Sequence, residues 1–434
     1  MPRIIDLFAG LGGIRLGFQQ AMDELGLETE CVFSSEIKPY AIKAYKEFFG
    51  DQDIYGDITY VNTKQDIPDF DYLLAGFPCQ PFSFAGNRNG FADTRGTLFF
   101  EIERILQDKI NANQPARGFL LENVEGLMTH DNGNTLNTII THLEKLGYYV
   151  SCKLLDSRYF GLPQSRKRVY IVGSLDEKIN LDEFEQREAV LGDILQQGLP
   201  TVDTEFTRKL FANYTTQEVI GKSIKDKRGG ENNIHSWDID LKGKTSQTER
   251  DLMSTLLRER RKKHWAEVIG IKWMDGMPLT EEQIRTFFDV PDLHEILEHL
   301  TQMGYLVYEY PKQQVKGKDG IVKRIQDVTK DKGYNIVAGK LSFEFSKILD
   351  TNDITPTLVA MDVAKLGVVD GNGIRRLTIR ECQRLCGYPD DYNLDMISES
   401  EAFDLLGNTV CVPVIRDISE RMGRSYLDNV EGGK

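Results

Sequence analysis

The chain has 434 residues, 40% of them hydrophobic and 28% charged, with a formal net charge of −14 at neutral pH. That length supplies two or three domains and a substantial core, and the composition is that of a soluble globular protein rather than a fibrous or disordered one. No apolar run approaches 18 residues and no charged-then-apolar leader opens the sequence, so no membrane span or secretion is expected, and the six scattered cysteines read as a reduced, cytosolic set.

The acidic balance is uneven. Residues 206–272 hold 15 Lys and Arg against 9 Asp and Glu, and residues 312–347 hold 9 against 4. Two basic islands in an acidic protein suggest one face that meets a polyanion, against the alternative of a solvated charged surface. Cys382 and Cys386 lie four apart on an expected helix, but no His or further Cys completes a metal set nearby, so core packing is their expected role and no metal is expected.

Residues 3–8 read as a short apolar strand, Ala9-Gly10-Leu11-Gly12-Gly13 as the turn after it, and residues 14–25 as a helix by their apolar spacing. Strand, glycine turn and helix open a doubly wound sheet, in which ligands sit beyond the strand ends. A second such step has its strand at residues 30–34 and its helix at 39–49, with Glu36 at the strand end, where a carboxylate can hold a ribose diol. A third is expected at Asp57-Ile58, which offers another acid at a strand end.

Residues 71–75 form a buried strand that delivers Gly76-Phe77-Pro78-Cys79-Gln80-Pro81-Phe82-Ser83. Proline fixes its own backbone and pushes the preceding residue toward extended geometry, so a thiol between two prolines is held in one direction. The polar stretch at residues 85–96 is long enough to close over whatever that thiol attacks, and an amphipathic helix is expected at 96–107. The buried strand at 118–121 ends in Glu122-Asn123-Val124, which places an acid beside the cysteine's strand end. A helix at 135–146 and a strand at 149–155 lead into residues 161–173. There Arg166 and Arg168 alternate along a strand and share a face, suited to a phosphate or a base carbonyl if they are not a surface pair.

Asp6-Leu7-Phe8-Ala9-Gly10-Leu11-Gly12-Gly13, residues 76–83, Glu122-Asn123-Val124 and Gln164-x-Arg166-x-Arg168 are followed by two further blocks. These are Arg376-Leu377-Thr378-x-Arg380-Glu381 with Gly387-Tyr388-Pro389, and Gly407-Asn408-Thr409-Val410. Together they stand in the order of the cytosine-5 DNA methyltransferase family, of the bacterial restriction-modification type, which the chain resembles over residues 1–175 and 355–425. The resemblance implies an α/β fold: a doubly wound, Rossmann-like large domain dependent on S-adenosyl-L-methionine, at residues 1–192 and 406–434. A smaller target-recognition domain follows at 193–405, with a mainly helical insert near 249–345 whose helices, strand and basic turn resemble a winged helix.

It also implies roles. Cys79 matches the nucleophile that adds, as thiolate, to carbon 6 of a cytosine flipped out of the duplex, and Glu122 the residue on ring nitrogen 3 and the exocyclic amine. Arg168 matches the contact to the ring carbonyl and Arg166 a supporting position. For the cofactor, Phe8, Gly10, Leu11 and Gly13 match the glycine turn, Glu36 the ribose acid, and Asp57 with Ile58 the adenine contacts. Pro78, Leu98, Asn408 and Val410 match other walls, and Ile37 stands where some members carry an aromatic that stacks on adenine. Gln80, Ser83 and Thr357 are the implied DNA contacts, Thr357 approaching the backbone phosphate. The expected protein is a monomeric, cytoplasmic, bacterial enzyme that acts on double-stranded DNA beside a cognate restriction endonuclease. A tRNA cytosine-5 methyltransferase and a DNA-binding regulator using the helical insert are the alternatives.

Overall fold

The computed structural model describes residues 1–50, 53–78, 98–227, 229–316, 322–337, 343–360 and 362–431. Cys79, Gln80, Ser83 and the polar stretch at 85–96 lie outside them. The chain divides into two compact units, Met1–Gln196 with Thr351–Val363 and Leu377–Lys434, and Gln197–Asp350 with Ala364–Arg376. Residues 377–405, which the sequence suggested would close the second domain, thus pack within the first unit.

The first unit is built on strands β1 (Arg3–Leu7), β2 (Glu30–Ser35), β3 (Tyr72–Gly76), β4 (Gly118–Val124), β5 (Tyr149–Asp156) and β6 (Lys167–Ser174), in the order β2-β1-β3-β4-β6-β5. The first four run parallel, and β6 lies antiparallel between β4 and β5. Strands β1, β3 and β4 are near-continuous apolar runs because both faces of the sheet are covered. Alternation assigns the faces. Ile5, Leu73, Phe119, Leu121 and Ile171 pack with one core, while Ile4, Leu74, Leu120 and Val172 pack with another. The first core is capped by helices α3 (Leu98–Asn111) and α4 (Asn134–Lys145), through Ile102, Ile105, Ile139 and Leu143. The second is capped by α1 (Gly13–Glu24), through Ile14, Phe18 and Met22. Helix α2 (Pro39–Phe49) starts on Pro39, whose missing N–H would have had no partner in a first turn anyway. The expected third strand step at residues 57–58 is instead a short 3-10 turn, Ile58–Tyr60, capped by the Asp57 carboxylate on the Thr59 N–H. The chain returns to this unit with α5 (Ile379–Cys386), α6 (Glu399–Asn408) and α7 (Val412–Glu431). Val414, Ile415, Ile418 and Met422 of α7 complete the core above α1.

The second unit carries two separate cores. One surrounds a five-stranded sheet of short strands, including Leu366–Asp370 and Gly373–Arg376. The other is formed by residues 237–336 around Trp237, Leu256, Met277, Leu297 and Tyr305. The helical insert expected from residue 249 opens with two helices, Gln247–Glu259 and Lys263–Ile269. They part where Arg260 turns inward and donates to Asn335 Oδ1, and where Lys262 adopts an extended backbone. Ser246 with Glu249 and Thr280 with Gln283 cap the helices that follow them, each pair satisfying two N–H groups reciprocally. No helix among the described residues is long and apolar enough to cross a membrane.

The tightest packing in the main sheet is the pair Phe119 and Gly173, which are register partners on β4 and β6. A Cβ on Gly173 would fall 2.1 Å from the Phe119 ring, which lies across the glycine and meets Tyr148 edge-on. Gly173→Ala is therefore expected to destabilise the protein by about 1–3 kcal/mol through overpacking. Adding Phe119→Leu should recover part of the loss, which urea unfolding midpoints of the single and double variants will measure.

Candidate active site

A cavity of about 820 Å³ opens at the carboxyl ends of β1 to β4, where the sheet order reverses between β2 and β3. Its walls come from the strand ends and the segments that leave them: Phe8 to Leu11 with Gly13 and Ile14 after β1, Glu36 to Lys38 after β2, Phe77 and Pro78 after β3, and Glu122 to Val124 at the end of β4. Leu405, Asn408, Thr409 and Val410 from the end of the chain close it.

The glycine turn is shaped by backbone that side chains disfavour. Gly10 and Gly12 have φ of 55° and 68°, and Phe8, at φ 56°, adopts the same left-handed region without a glycine's freedom. Strain of that kind costs on the order of 1–3 kcal/mol and survives only where the surroundings dictate it. Gly13 has no room for a side chain, since a Cβ there would lie 2.4 Å from Tyr388 Oη and 2.7 Å from Val410 Cγ2. Tyr388 Oη is itself 2.5 Å from Thr409 Oγ1, and the Tyr392 hydroxyl donates to the Leu11 carbonyl at 2.7 Å. The Gly387-Tyr388-Pro389 block thus buttresses the turn from behind.

Glu36 holds the turn from the other side. One carboxylate oxygen accepts from the Gly10 N–H at 2.8 Å, and the other from the Ile37 and Lys38 N–H groups at 2.7 and 2.8 Å. Asp57 lines the cavity with its carboxylate on the Thr59 N–H and hydroxyl. Ile58 packs beneath it, almost fully buried. Ile37 lines the cavity at 69% exposure, and Tyr60, which the sequence did not single out, lines it at 88%. Leu98 and Pro78 lie in the wall, as do Leu11 and Val410. Asn408 is held by Asp404, donating to its carbonyl at 2.8 Å and its carboxylate at 3.1 Å. The other oxygen of that carboxylate accepts from Lys38 and Tyr40, which ties the wall after β2 to α6.

At the sheet end of the cavity, Gly76 and Glu122 are register partners, and a Cβ on Gly76 would sit 3.7 Å from Glu122 Oε2. The Glu122 carboxylate is buried and lies 3.0 Å from Arg168 Nε. Burial pushes the carboxyl above its usual range, and the pull of Arg168 and Arg166 in the opposite direction does not cancel it. Burial and the neighbouring Arg166 likewise lower the Arg168 guanidinium. Asn123, present in the motif but given no role by the sequence, donates to the Phe77 carbonyl at 2.9 Å and accepts from the Val124 N–H. It thereby fixes the backbone one residue before Pro78.

Arg166 and Arg168 both line the cavity, as the alternation suggested, but they are used differently. Strand β6 begins at Lys167, and the Arg166 guanidinium donates to three backbone carbonyls, those of Leu358 at 3.1 Å, Gly407 at 3.2 Å and Thr409. Gln164 adds a second clasp, donating to the Leu385 carbonyl and accepting from the Leu358 N–H. Thr357, expected to face a phosphate, gives its hydroxyl to the Ser165 carbonyl at 2.7 Å.

The sheet end of the cavity therefore combines a carboxyl poised to hold a proton with a guanidinium beside it, and the opposite end has a glycine cradle backed by a carboxylate. Residues 2–424 match the family described as C-5 cytosine-specific DNA methylase. The chain is 55% identical over 427 residues to the type II methyltransferase M.NlaIV of Neisseria lactamica, covering 97% of this chain and 98% of that protein. It is 41% identical over 457 residues to the type II methyltransferase M.BanI of Aneurinibacillus aneurinilyticus, covering 99% and 97%. Among solved structures, an S. pombe Dnmt2 methyltransferase shares the fold with a TM-score of 0.53 at 16% identity, covering 99% of each chain. A putative DNA modification methyltransferase encoded within an E. coli prophage does so with a TM-score of 0.53 at 20% identity, covering 98% of this chain and 100% of that one. With the motifs in order along the sequence and a family match across nearly its whole length, the chain belongs to the C-5 cytosine-specific DNA methylases.

Proposed function

We propose that the protein is a sequence-specific DNA (cytosine-5)-methyltransferase that uses S-adenosyl-L-methionine and protects its host's DNA from a restriction endonuclease acting on the same site. The observation that carries the reading is the buried Glu122 carboxyl, paired with Arg168 and in register with Gly76, three residues before Cys79. The type II names of its relatives support the restriction-modification context. The expected protein is a monomer working in the bacterial cytoplasm.

The residues fit the cofactor. Gly10 leaves backbone open to close approach, with nothing within 4 Å of where its Cβ would stand, Glu36 sits at a strand end, and Ile37 and Tyr60 offer exposed apolar surface for a flat ring. Phe8, Gly10, Leu11, Asp57, Ile58, Pro78, Leu98, Asn408 and Val410 would supply the remaining walls. When bound, S-adenosyl-L-methionine supplies an electrophilic methyl group.

Carbon 5 of cytosine is a weak nucleophile. Cys79, as thiolate, adds to carbon 6 and gives the ring enamine character. Glu122 holds a proton at ring nitrogen 3 as charge builds there, which its raised pKa suits. Arg168 accommodates the ring carbonyl and, through its 3.0 Å contact, keeps the Glu122 carboxyl oriented. Arg166 holds the carbonyls of Leu358, Gly407 and Thr409 in place behind them. After methyl transfer, loss of the carbon 5 proton expels Cys79 as thiolate. A cytosine inside a stacked duplex cannot reach these groups, so it is flipped into the cavity. Gln80, Ser83 and Thr357 are the proposed DNA contacts around it. A tRNA substrate is the second reading, and the same assay separates the two.

Transfer of labelled methyl groups to a duplex library, followed by bisulfite sequencing, should mark one short sequence context, and Cys79→Ser should abolish it. Labelling of tRNA but never of duplex DNA would overturn the assignment. Glu122→Gln should lower the transfer rate by roughly 10²–10⁴-fold, the usual weight of a positioned acid. Because the active form of Glu122 is protonated and its pKa is raised, the wild-type rate should fall as pH rises through that pKa. The Gln variant should lack that alkaline limb, and a pH–rate profile retaining it would assign the proton elsewhere.

A further inference from the structure

Residues 247–336 of the second unit form an arrangement whose charge is distributed against expectation. Helices Gln247–Glu259, Lys263–Ile269, Glu281–Arg285 and Leu293–Gln302 precede strand Leu306–Glu309, a ribbon of Lys312–Lys316 with Val322–Gln326, and strand Gly333–Ile336. The outer strands pair antiparallel, and Leu279 bridges to Tyr334 on the far side. Helices followed by a strand, a ribbon and a return strand give the order of a winged helix, in which the last helix would ordinarily be the one to enter a DNA groove.

Here that helix is unsuited to a polyanion. Leu293, Ile296, Leu297 and Leu300 are buried, and the outward positions include Glu295 and Glu298. His294 is paired with Glu281 and His299 with Glu249. The basic run at 258–263 is also largely spent within the fold. Arg260 is buried against Asn335, with its pKa pushed down to about 10 by burial, while Arg261 pairs with Asp275 and Lys262 with Glu259.

The ribbon differs, although its first cation, Lys312, pairs with Glu309 of the preceding strand. Its two strands, Lys-Gln-Gln-Val-Lys and Val-Lys-Arg-Ile-Gln, contain four cations, three glutamines and no acid. Among the described residues it pairs with no third strand, although a two-stranded ribbon contributes little stability alone. Gln314 faces Arg324 and Val315 faces Lys323 across it, and all four side chains are exposed. Lys323 and Arg324 have no ion-pair partner among the described residues. Val315 and Ile325 remain 39% and 47% exposed on the same face as Lys323. A two-stranded ribbon fits the major groove, where glutamine pairs with adenine and cations meet the flanking phosphates.

We propose that this ribbon, and not the preceding helix, is a duplex-DNA contact of the second unit, with Gln314 at base edges, Arg324 on the same face at a flanking phosphate, and Lys323, from the opposite face, at the phosphate across the groove. The proposal rests on the DNA methyltransferase reading. The test uses the full-length protein and a duplex carrying the sequence context marked by methyl transfer, with dissociation constants measured by anisotropy from 50 to 200 mM KCl. Two lost phosphate contacts change the slope of log affinity against log salt by about 1.8. Lys323→Glu with Arg324→Glu should flatten it by at least that much and weaken binding about tenfold or more at 50 mM, at an unchanged unfolding temperature. Glu295→Lys, on the outward side of the helix, should keep the wild-type slope. An unaltered slope and affinity in the double variant would overturn the proposal and leave the ribbon to a protein partner. A steeper slope in Glu295→Lys would overturn it in favour of the helix. Wild-type protein that neither binds nor methylates any duplex would fail the methyltransferase reading itself, a result distinct from a ribbon variant that alone behaves as wild type.

Discussion

The parallel register of β3 against β4 is the constraint on which the candidate site depends. It sets Gly76 opposite Glu122, and Asn123 then holds the Phe77 carbonyl, so the chain leaves the sheet at Phe77 and Pro78 from a fixed point beside the acid. Side chains alternate along a strand, so a slip of one residue would exchange the two faces of β4 and turn Glu122 away. That slip is opposed by both cores at once, because Phe119 and Leu121 are buried on one face and Leu120 on the other. The chemistry is positioned by hydrophobic burial, with the polar groups placed where that burial leaves them.

Burial also governs the electrostatics. A carboxylate and two guanidiniums lie around one cavity end, and charges held away from water are costly unless paired or hydrogen-bonded. Arg168 is paired with Glu122, and the two terminal nitrogens of Arg166 donate to backbone carbonyls, although its Nε is buried without a partner. Even so, burial raises the Glu122 pKa against the opposing pull of both cations, which shifts its titration toward neutral pH.

Much of this was legible in the sequence, and for physical reasons. The glycine turn, the Glu122-Asn123-Val124 strand end and the arginine alternation are local patterns, and each folds as its pattern dictates. What was not legible depends on partners far along the chain. Arg166 and Arg168 have the same side chain two residues apart, and only the arrival of Leu358, Gly407 and Thr409 gives Arg166 its separate task. The basic island at 206–272 suggested a face that meets a polyanion, but within it Arg260 is drawn inward by Asn335, 75 residues on, and the helix breaks there. Tyr60 could have been noticed as an aromatic three residues past Asp57, although nothing local shows that it borders the cavity.

The Arg166 clasp and the α1–α7 packing place the two ends of the chain in one structure, and this has a consequence for synthesis. The nascent chain emerges from its amino terminus at about 5–20 residues per second. The glycine turn and α1 therefore leave the ribosome well before Val410, Ile415 and Ile418, which cover them. Until then Ile14, Phe18 and Met22 lack their covering layer, and the cavity lacks a wall. A chain ending before residue 410 would carry the glycine turn, Glu122 and Arg168 without a closed cavity, so the site forms only after these distant residues have been made.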